Sequence, residues 1–248
     1  MYISHRIAAL ALASICSTAQ ALDANEEITP SDAGFQYWVY AVTWQPSFCR
    51  LKPQAAGCEH PPAKFLTHGI WPYNNSTRTK TNRHPAFCNA VPVGLPGSAN
   101  ETRDDSLESM MSRRELSELV AVDPRGMLEH EWNKHGTCSG KTEADYFNAI
   151  VELRKVVTYD TSTFNAWIGG RAMFDDIRAA FPPNTAFRCF VQNGEQYLHE
   201  VFYLIRPDGA PYMQDGTLQI GAPCRDQETL IPPGERRPLA VQPDVPGG

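Results

Sequence analysis

The sequence predicts a single α+β domain, an antiparallel β-sheet core flanked by several α-helices. Three observations point there. Residues 35–44 and 65–72 are β-branched and aromatic with little polar alternation, the pattern of strands buried on both faces. Residues 112–181 carry helical periodicity and cap signals, and residues 187–205 return to strands around Asn193-Gly194. Strands, then helices, then strands, with no repeat and no linker, is the order of an α+β domain rather than of alternating βα units. At 248 residues, 42% hydrophobic and 20% charged, the chain has material for a packed core.

Residues 1–21 read as a signal peptide. Arg6 supplies the positive end, Ile7 to Ile15 an apolar run too short to span a bilayer, and Ala19-Gln20-Ala21 a small-x-small cleavage site. The remainder divides into one domain over 22–230 and a loose, Pro-rich tail over 231–248. The expected protein is exported, to the periplasm or the medium, and soluble once the leader is removed. Cys16 leaves with the leader, and Cys49, Cys58, Cys88, Cys138, Cys189 and Cys224 remain. An even count after export implies three disulfides, with fifteen connectivities open. No CxxC pair is present, which speaks against a zinc ribbon or a thioredoxin-type site. The formal net charge is −6, and −7 without Arg6, so a surface coated in positive charge is excluded and any polyanion must be held locally.

The first strand ends at Gln45-Pro46, and Cys49 and Cys58 bracket a short polar loop. The second strand, Phe65 to Pro72, contains His68 followed by Gly69; a glycine inside a strand marks a bulge or a close backbone approach. Residues 73–105 form a long polar segment that Cys88 can tie down, with sequons at Asn74, Asn75 and Asn100. Ser112 to Glu115 reads as a capping box, and Thr142 as the cap of a helix whose apolar side holds Tyr146, Phe147, Ile150, Val151, Leu153 and Val157. Phe164 to Ile168 ends at a Gly pair, and residues 171–181 read as a last helix stopped by Pro182-Pro183. A short strand is expected before Cys224.

The densest chemistry lies at residues 129–138, Glu-His-Glu-Trp-Asn-Lys-His-Gly-Thr-Cys. A helix over 127–135, closed by Gly136 as a C-terminal cap, puts His130 at 0°, Lys134 near ~40°, Glu131 near ~100° and His135 near ~140°. Four ionisable groups then share one arc, a pattern suited to proton transfer around an anion.

His68-Gly69-Ile70-Trp71-Pro72 and His130 to Cys138, in this order and about sixty residues apart in an exported chain, resemble the two signature elements of the ribonuclease T(2) family. The likeness extends through Trp44, the cysteines and the helix–hairpin order, and fades before residue 35 and after Cys224. It implies a metal-independent endoribonuclease without a cofactor, acting as a monomer on RNA. The ribose 2′-OH attacks its own phosphodiester and leaves a 2′,3′-cyclic phosphate. The resemblance assigns His135 as base, His68 as acid and His130 as phosphate ligand, with Lys134 and Glu131 stabilising the transition state. It also implies the pairs Cys88–Cys138 and Cys189–Cys224, leaving Cys49 with Cys58. Trp71 is either core or a stacking platform for a base. His60, His84 and His199 are expected to be structural or exposed. Tyr73 stands where some relatives have an acidic base contact, and Thr43 where some plant relatives have Gln, so low base preference is expected. Two rivals remain: a zinc hydrolase, disfavoured because His130 and His135 are five apart rather than four, and a binding protein on an inert nuclease scaffold, disfavoured because no catalytic His is lost.

Overall fold

The structure, a computed structural model, describes residues 26–27, 29–30, 33–88, 109–121 and 124–235. The signal peptide, Asn100 and residues 236–248 lie outside them. The fold is α+β, with one six-stranded sheet at its centre.

Strand β1 is Glu26–Glu27, β2 Tyr37–Trp44, β3 Phe65–Tyr73, β4 His84–Pro85, β5 Arg171–Met173, β6 Thr185–Gln192, β7 Glu195–Ile205 and β8 Glu228–Leu230. Every residue of β2 is buried, as its unbroken apolar run requires. Trp38, Tyr40, Val42 and Trp44 face the helices, while Tyr37, Val39 and Ala41 join Trp71, Tyr73 and Phe202 in a second cluster on the opposite face. β2 pairs antiparallel with β3 on one side and with Glu200–Ile205 of β7 on the other. β6 and β7 form the expected hairpin, with Asn193 and Gly194 both at positive φ in its two-residue turn. The other edge of β7, at Gln196 and Tyr197, pairs with β8 in parallel, so the sheet is mixed rather than wholly antiparallel. β8 follows Cys224; between Asp208 and that cysteine the described residues form isolated bridges, Ile205 to Pro211 and Arg188 to Pro223, rather than a strand.

The helices are α1 Gln45–Leu51, α2 Arg114–Ser117, α3 Arg125–Lys134, α4 Glu143–Arg154, α5 Thr161–Asn165 and α6 Phe174–Ala179. Gln45-Pro46 therefore both ends β2 and opens α1, where a proline costs no hydrogen bond. Thr142 caps α4, accepting from the Asp145 amide, and Tyr146, Phe147, Ile150 and Leu153 are buried as the periodicity requires. Tyr146 donates to the Ile70 carbonyl at 2.7 Å and Tyr40 to that of Ile150 at 3.1 Å, which locks α4 onto β2 and β3.

Four expectations need correction. Ser112 is not a helix cap: its hydroxyl donates to the Ser109 carbonyl and Arg113 precedes α2. The 171–181 helix begins only at Phe174, because Arg171–Met173 is taken as an edge strand by β8. The 164–168 helix is Thr161–Asn165, opened by the Asp160 carboxylate, which accepts from the Thr163 amide. The start of the tail is docked rather than loose: Ile231 is buried, Pro232 accepts from the Trp44 indole at 3.0 Å and the Glu235 amide reaches the Pro61 carbonyl at 2.8 Å.

Candidate active site

His68 sits on a bulge. Ala41 pairs with Gly69 and Val42 with Thr67, so His68 is the extra residue of β3. The kink turns its ring, with a side chain 37% exposed, into a cleft of about 570 Å³. Gly69 is there for close approach. A Cβ at this position would land on the Glu131 carboxylate, 2.6 Å from its Cδ and 3.0 Å from the Trp71 indole nitrogen.

Helix α3 supplies the opposite wall. It runs 125–134 rather than 127–135, and Gly136 does not close it in a left-handed cap. The chain passes instead into a single 3₁₀ turn, Gly136–Cys138. Gly136 is required because a Cβ would land on the Trp132 ring, 2.8 Å from its Cζ3, and that ring packs on Tyr146 in the core. His130, Glu131 and Lys134 project from α3 and His135 from its end, and all four line the cleft with His68, Trp71, Tyr73 and His84.

Glu131 is the centre of the arrangement and is 1% exposed. One oxygen lies 3.7 Å from His68 Nε2, the other 3.9 Å from His135 Nε2, and the latter accepts from the Trp71 indole at 2.7 Å. The strand-borne and helix-borne imidazoles thus face the same carboxylate from two sides. Trp71 is 7% exposed, with His135 stacked on its ring at 5.2 Å. The ring lines the cleft, and it braces His135 by this contact and Glu131 through the indole N–H.

Three partners escaped sequence reading. His84, placed on β4, lies with Nε2 2.7 Å from His135 Nδ1, the two rings stacked at 4.6 Å. Glu200, in β7, lies 2.8 Å from His68 Nδ1 and is 2% exposed. Glu26 pairs with Lys134 at 2.5 Å. A charged residue inside the apolar run of β7 was a signal for Glu200. Cys88, four residues after His84, was an indirect one for the histidine. Nothing in the sequence marked Glu26. His199 is buried in β7, with Nδ1 4.0 Å from Glu200, and His60 pairs with Glu235 at 3.4 Å away from the cleft. The three disulfides join Cys49 to Cys58, Cys88 to Cys138 and Cys189 to Cys224. The second, with the Phe87 amide donating to the Lys134 carbonyl at 2.9 Å, holds β4 against the end of α3.

The electrostatics drive the two imidazoles apart. Burial opposes a charge on His68, but the hydrogen bond to Glu200 and the charges of Glu131 and Glu200 outweigh it and raise the pKa to about 9. Burial, reinforced by His84, Lys134, His130 and His68, pushes His135 well below 6.5. Burial and then Lys134 lower His84 to about 3. Burial raises Glu131 to about 7, against the pull of His68, the Trp71 indole and Lys134. Near neutrality the site therefore holds a charged imidazole on the strand and an uncharged one on the helix, the pairing that acid–base chemistry needs. His130, Glu131 and His135 also bring ligand atoms within 4.8 Å of one another, closer than ideal helical angles suggest because His135 lies beyond the last helical residue, at φ −113°.

A bulged strand histidine thus faces a helix-end histidine across one carboxylate on an α+β frame. Residues 35–224 match the model of the ribonuclease T2 family, and the chain belongs to that family. It is 27% identical over 137 residues to a probable ribonuclease of Haemophilus influenzae, with 49% of this chain and 43% of that protein aligned. It is 28% identical over 123 residues to a ribonuclease of Aeromonas hydrophila, with 49% and 46% aligned. The match thus spans under half the length of these two relatives. Ribonuclease 1 of Arabidopsis thaliana is 24% identical over 213 residues, with 80% and 89% aligned. Among solved structures, ribonuclease MC1 from bitter gourd seeds superposes with a TM-score of 0.56 at 21% identity, covering 79% of this chain and all of that one. RNase NT in complex with 5′-AMP gives 0.55 at 20% identity, covering 81% and 98%. These two likenesses establish the fold.

Proposed function

We propose that the protein is an endoribonuclease that cleaves single-stranded RNA by transesterification, without a metal ion, through a 2′,3′-cyclic phosphate. The observation that carries the reading is that His68 and His135 approach opposite oxygens of Glu131, at 3.7 and 3.9 Å. A phosphodiester entering the cleft meets a proton donor on one side and an acceptor on the other. With the shared proton of the His84–His135 contact on His135 Nδ1, His135 Nε2 takes the 2′-OH proton. His68 donates from Nε2 to the departing 5′-oxygen. Lys134 and His130 stabilise the charge of the phosphorane, and Glu131 sets the protonation of both rings. DNA lacks the nucleophile.

We read low base preference from two positions: Tyr73, where some relatives have an acidic base contact, and Thr43, where some plant relatives have Gln. Tyr73 is 1% exposed and stacked on His84 at 4.6 Å, and the Thr43 hydroxyl donates to Glu200 at 2.9 Å. Export after cleavage at residue 21 fits three disulfides, and no helix among the described residues is long and apolar enough to cross a membrane. The catalytic unit is residues 22–230 with the docked start of the tail, acting as a monomer.

The test is cleavage of a single-stranded RNA and of its DNA counterpart by wild type, His68→Ala and His135→Ala. Only wild type on RNA should be active; equal activity in either variant, or on DNA, would remove the assignment. The convergence of His130, Glu131 and His135 supports a second reading, a metal-dependent hydrolase. That reading requires activity to vanish in chelator and return with the ion.

A further inference from the structure

A carboxylate in the middle of a buried strand is costly unless its oxygens are engaged, and an apolar residue serves stability as well. Glu200 is such a carboxylate, and elements from across the sheet converge on it. Its Oε1 accepts from the Thr43 hydroxyl of β2 at 2.9 Å and lies 2.8 Å from His68 Nδ1 of β3. Its Oε2 accepts from Arg188 Nη1 of β6 at 3.0 Å. We propose that Glu200, aimed by Thr43 and Arg188, is a positioning residue for the cleavage step, fixing His68 with Nδ1–H on the carboxylate and Nε2 toward the scissile phosphate. The inference rests on the ribonuclease reading and adds a residue to it.

The geometry leaves one role for each nitrogen of His68. An ionised carboxylate only accepts, so Nδ1 must carry a proton and Nε2 is the nitrogen that exchanges one with substrate. Nε2 lies on the cleft side, toward Glu131. In the step, the 2′-oxygen–phosphorus bond forms as the phosphorus–5′-oxygen bond breaks. The 2′-OH proton passes to His135, and the Nε2 proton of His68 passes to the 5′-oxygen. His68 ends neutral, still donating to Glu200. The titratable and charged groups around it are Glu131 and His130 on α3, His135 just past its end, Arg188 on β6, and Glu200 and His199 on β7; the two carboxylates favour its protonated form. The inference also gives Thr43 a task. Its hydroxyl, donating to Glu200 at 2.9 Å, helps to aim the carboxylate that supports the acid.

The experiment compares two substrates. A dinucleoside phosphate expels a sugar alkoxide that needs a proton, whereas a uridine 3′-aryl phosphate expels a phenolate that does not. Glu200→Gln should lower kcat on the first by about ten- to a hundredfold, no more than the lower end of the range for general acid catalysis because the acid itself is retained, with KM within about twofold. On the aryl ester the loss should be at least about tenfold smaller. Above pH 9, where the wild-type ring is neutral, the ¹⁵N signals of His68 should move from the Nδ1–H form toward a mixture of tautomers in the variant, and Glu200→Asp should restore part of the rate. Should Glu200→Gln not fold, Thr43→Val, which removes one donor and no charge, should give a smaller loss with the same substrate bias. Equal losses on both substrates, or unchanged rates and ¹⁵N signals, overturn the inference alone. Equal losses in His68→Ala overturn the acid role of His68, and a wild type inert on both substrates overturns the ribonuclease reading; the inference falls with either.

Discussion

Gly69→Ala is the smallest change that should disable the site. The added methyl group cannot sit beside the Glu131 carboxylate, since it would lie 2.6 Å from Cδ and 3.0 Å from the Trp71 indole nitrogen. Glu131 is 1% exposed and has nowhere to retreat, so either β3 or α3 must shift. Overpacking of this kind costs about 1–3 kcal/mol. If Glu131 moves, the buried Trp71 N–H loses its acceptor, for about another 1–3 kcal/mol. The two together give about 2–6 kcal/mol, which in a domain of this size lowers Tm by about 4–24 °C. The same shift displaces His68, one residue away, and misplacement by about 1 Å can cost about a hundredfold in rate. Thermal melts followed by circular dichroism, with kcat measured on a single-stranded RNA oligonucleotide, read both effects. A variant that melts with wild type and turns over at the wild-type rate would show that the strand and helix do not meet as tightly as described.

Other expectations follow from the same geometry. Activity should rise with pH as His135, held below 6.5, loses its proton, and should fall as pH passes about 9, where His68 loses the proton it must donate. A pH–rate profile checks this, and a basic limb near 6.5 would mean that the two carboxylates do not support His68. Removing the Cys88–Cys138 bridge as a double Ser variant should cost up to about 4 kcal/mol for a 50-residue loop in the chain-entropy model. It should also lower kcat, because β4 would no longer hold His84 against His135; a melt and a rate on the same sample separate the two effects.

Where chemistry and local periodicity coincide, the structure is readable in advance. The apolar run of β2, the Thr142 cap, the Asn193-Gly194 hairpin and the cluster from His130 to His135 each rest on neighbours in sequence. Gly69 announced a bulge or a close approach, and both occur. What escaped is what tertiary contact decides. His84 lies in a polar segment without periodicity, and its place is set by a disulfide to a residue 50 positions away. Glu26 reaches Lys134 only because β1 lies in parallel beside β4. Arg171–Met173 continues a helical pattern but is claimed by β8. Trp71 could be assigned to core or cleft only once Glu131 and His135 were in place around it.

The claim at the centre of the account is that one RNA phosphodiester is handled between His68 and His135 with its own 2′-OH as nucleophile. End-group analysis by mass spectrometry of a single-stranded RNA digested in excess chelator tests it most directly. Fragments ending in a 2′,3′-cyclic phosphate, with a 5′-hydroxyl on the other side of each cut, are the predicted products. Fragments with 5′-phosphate and 3′-hydroxyl ends, or no cleavage until a divalent ion is restored, would contradict it.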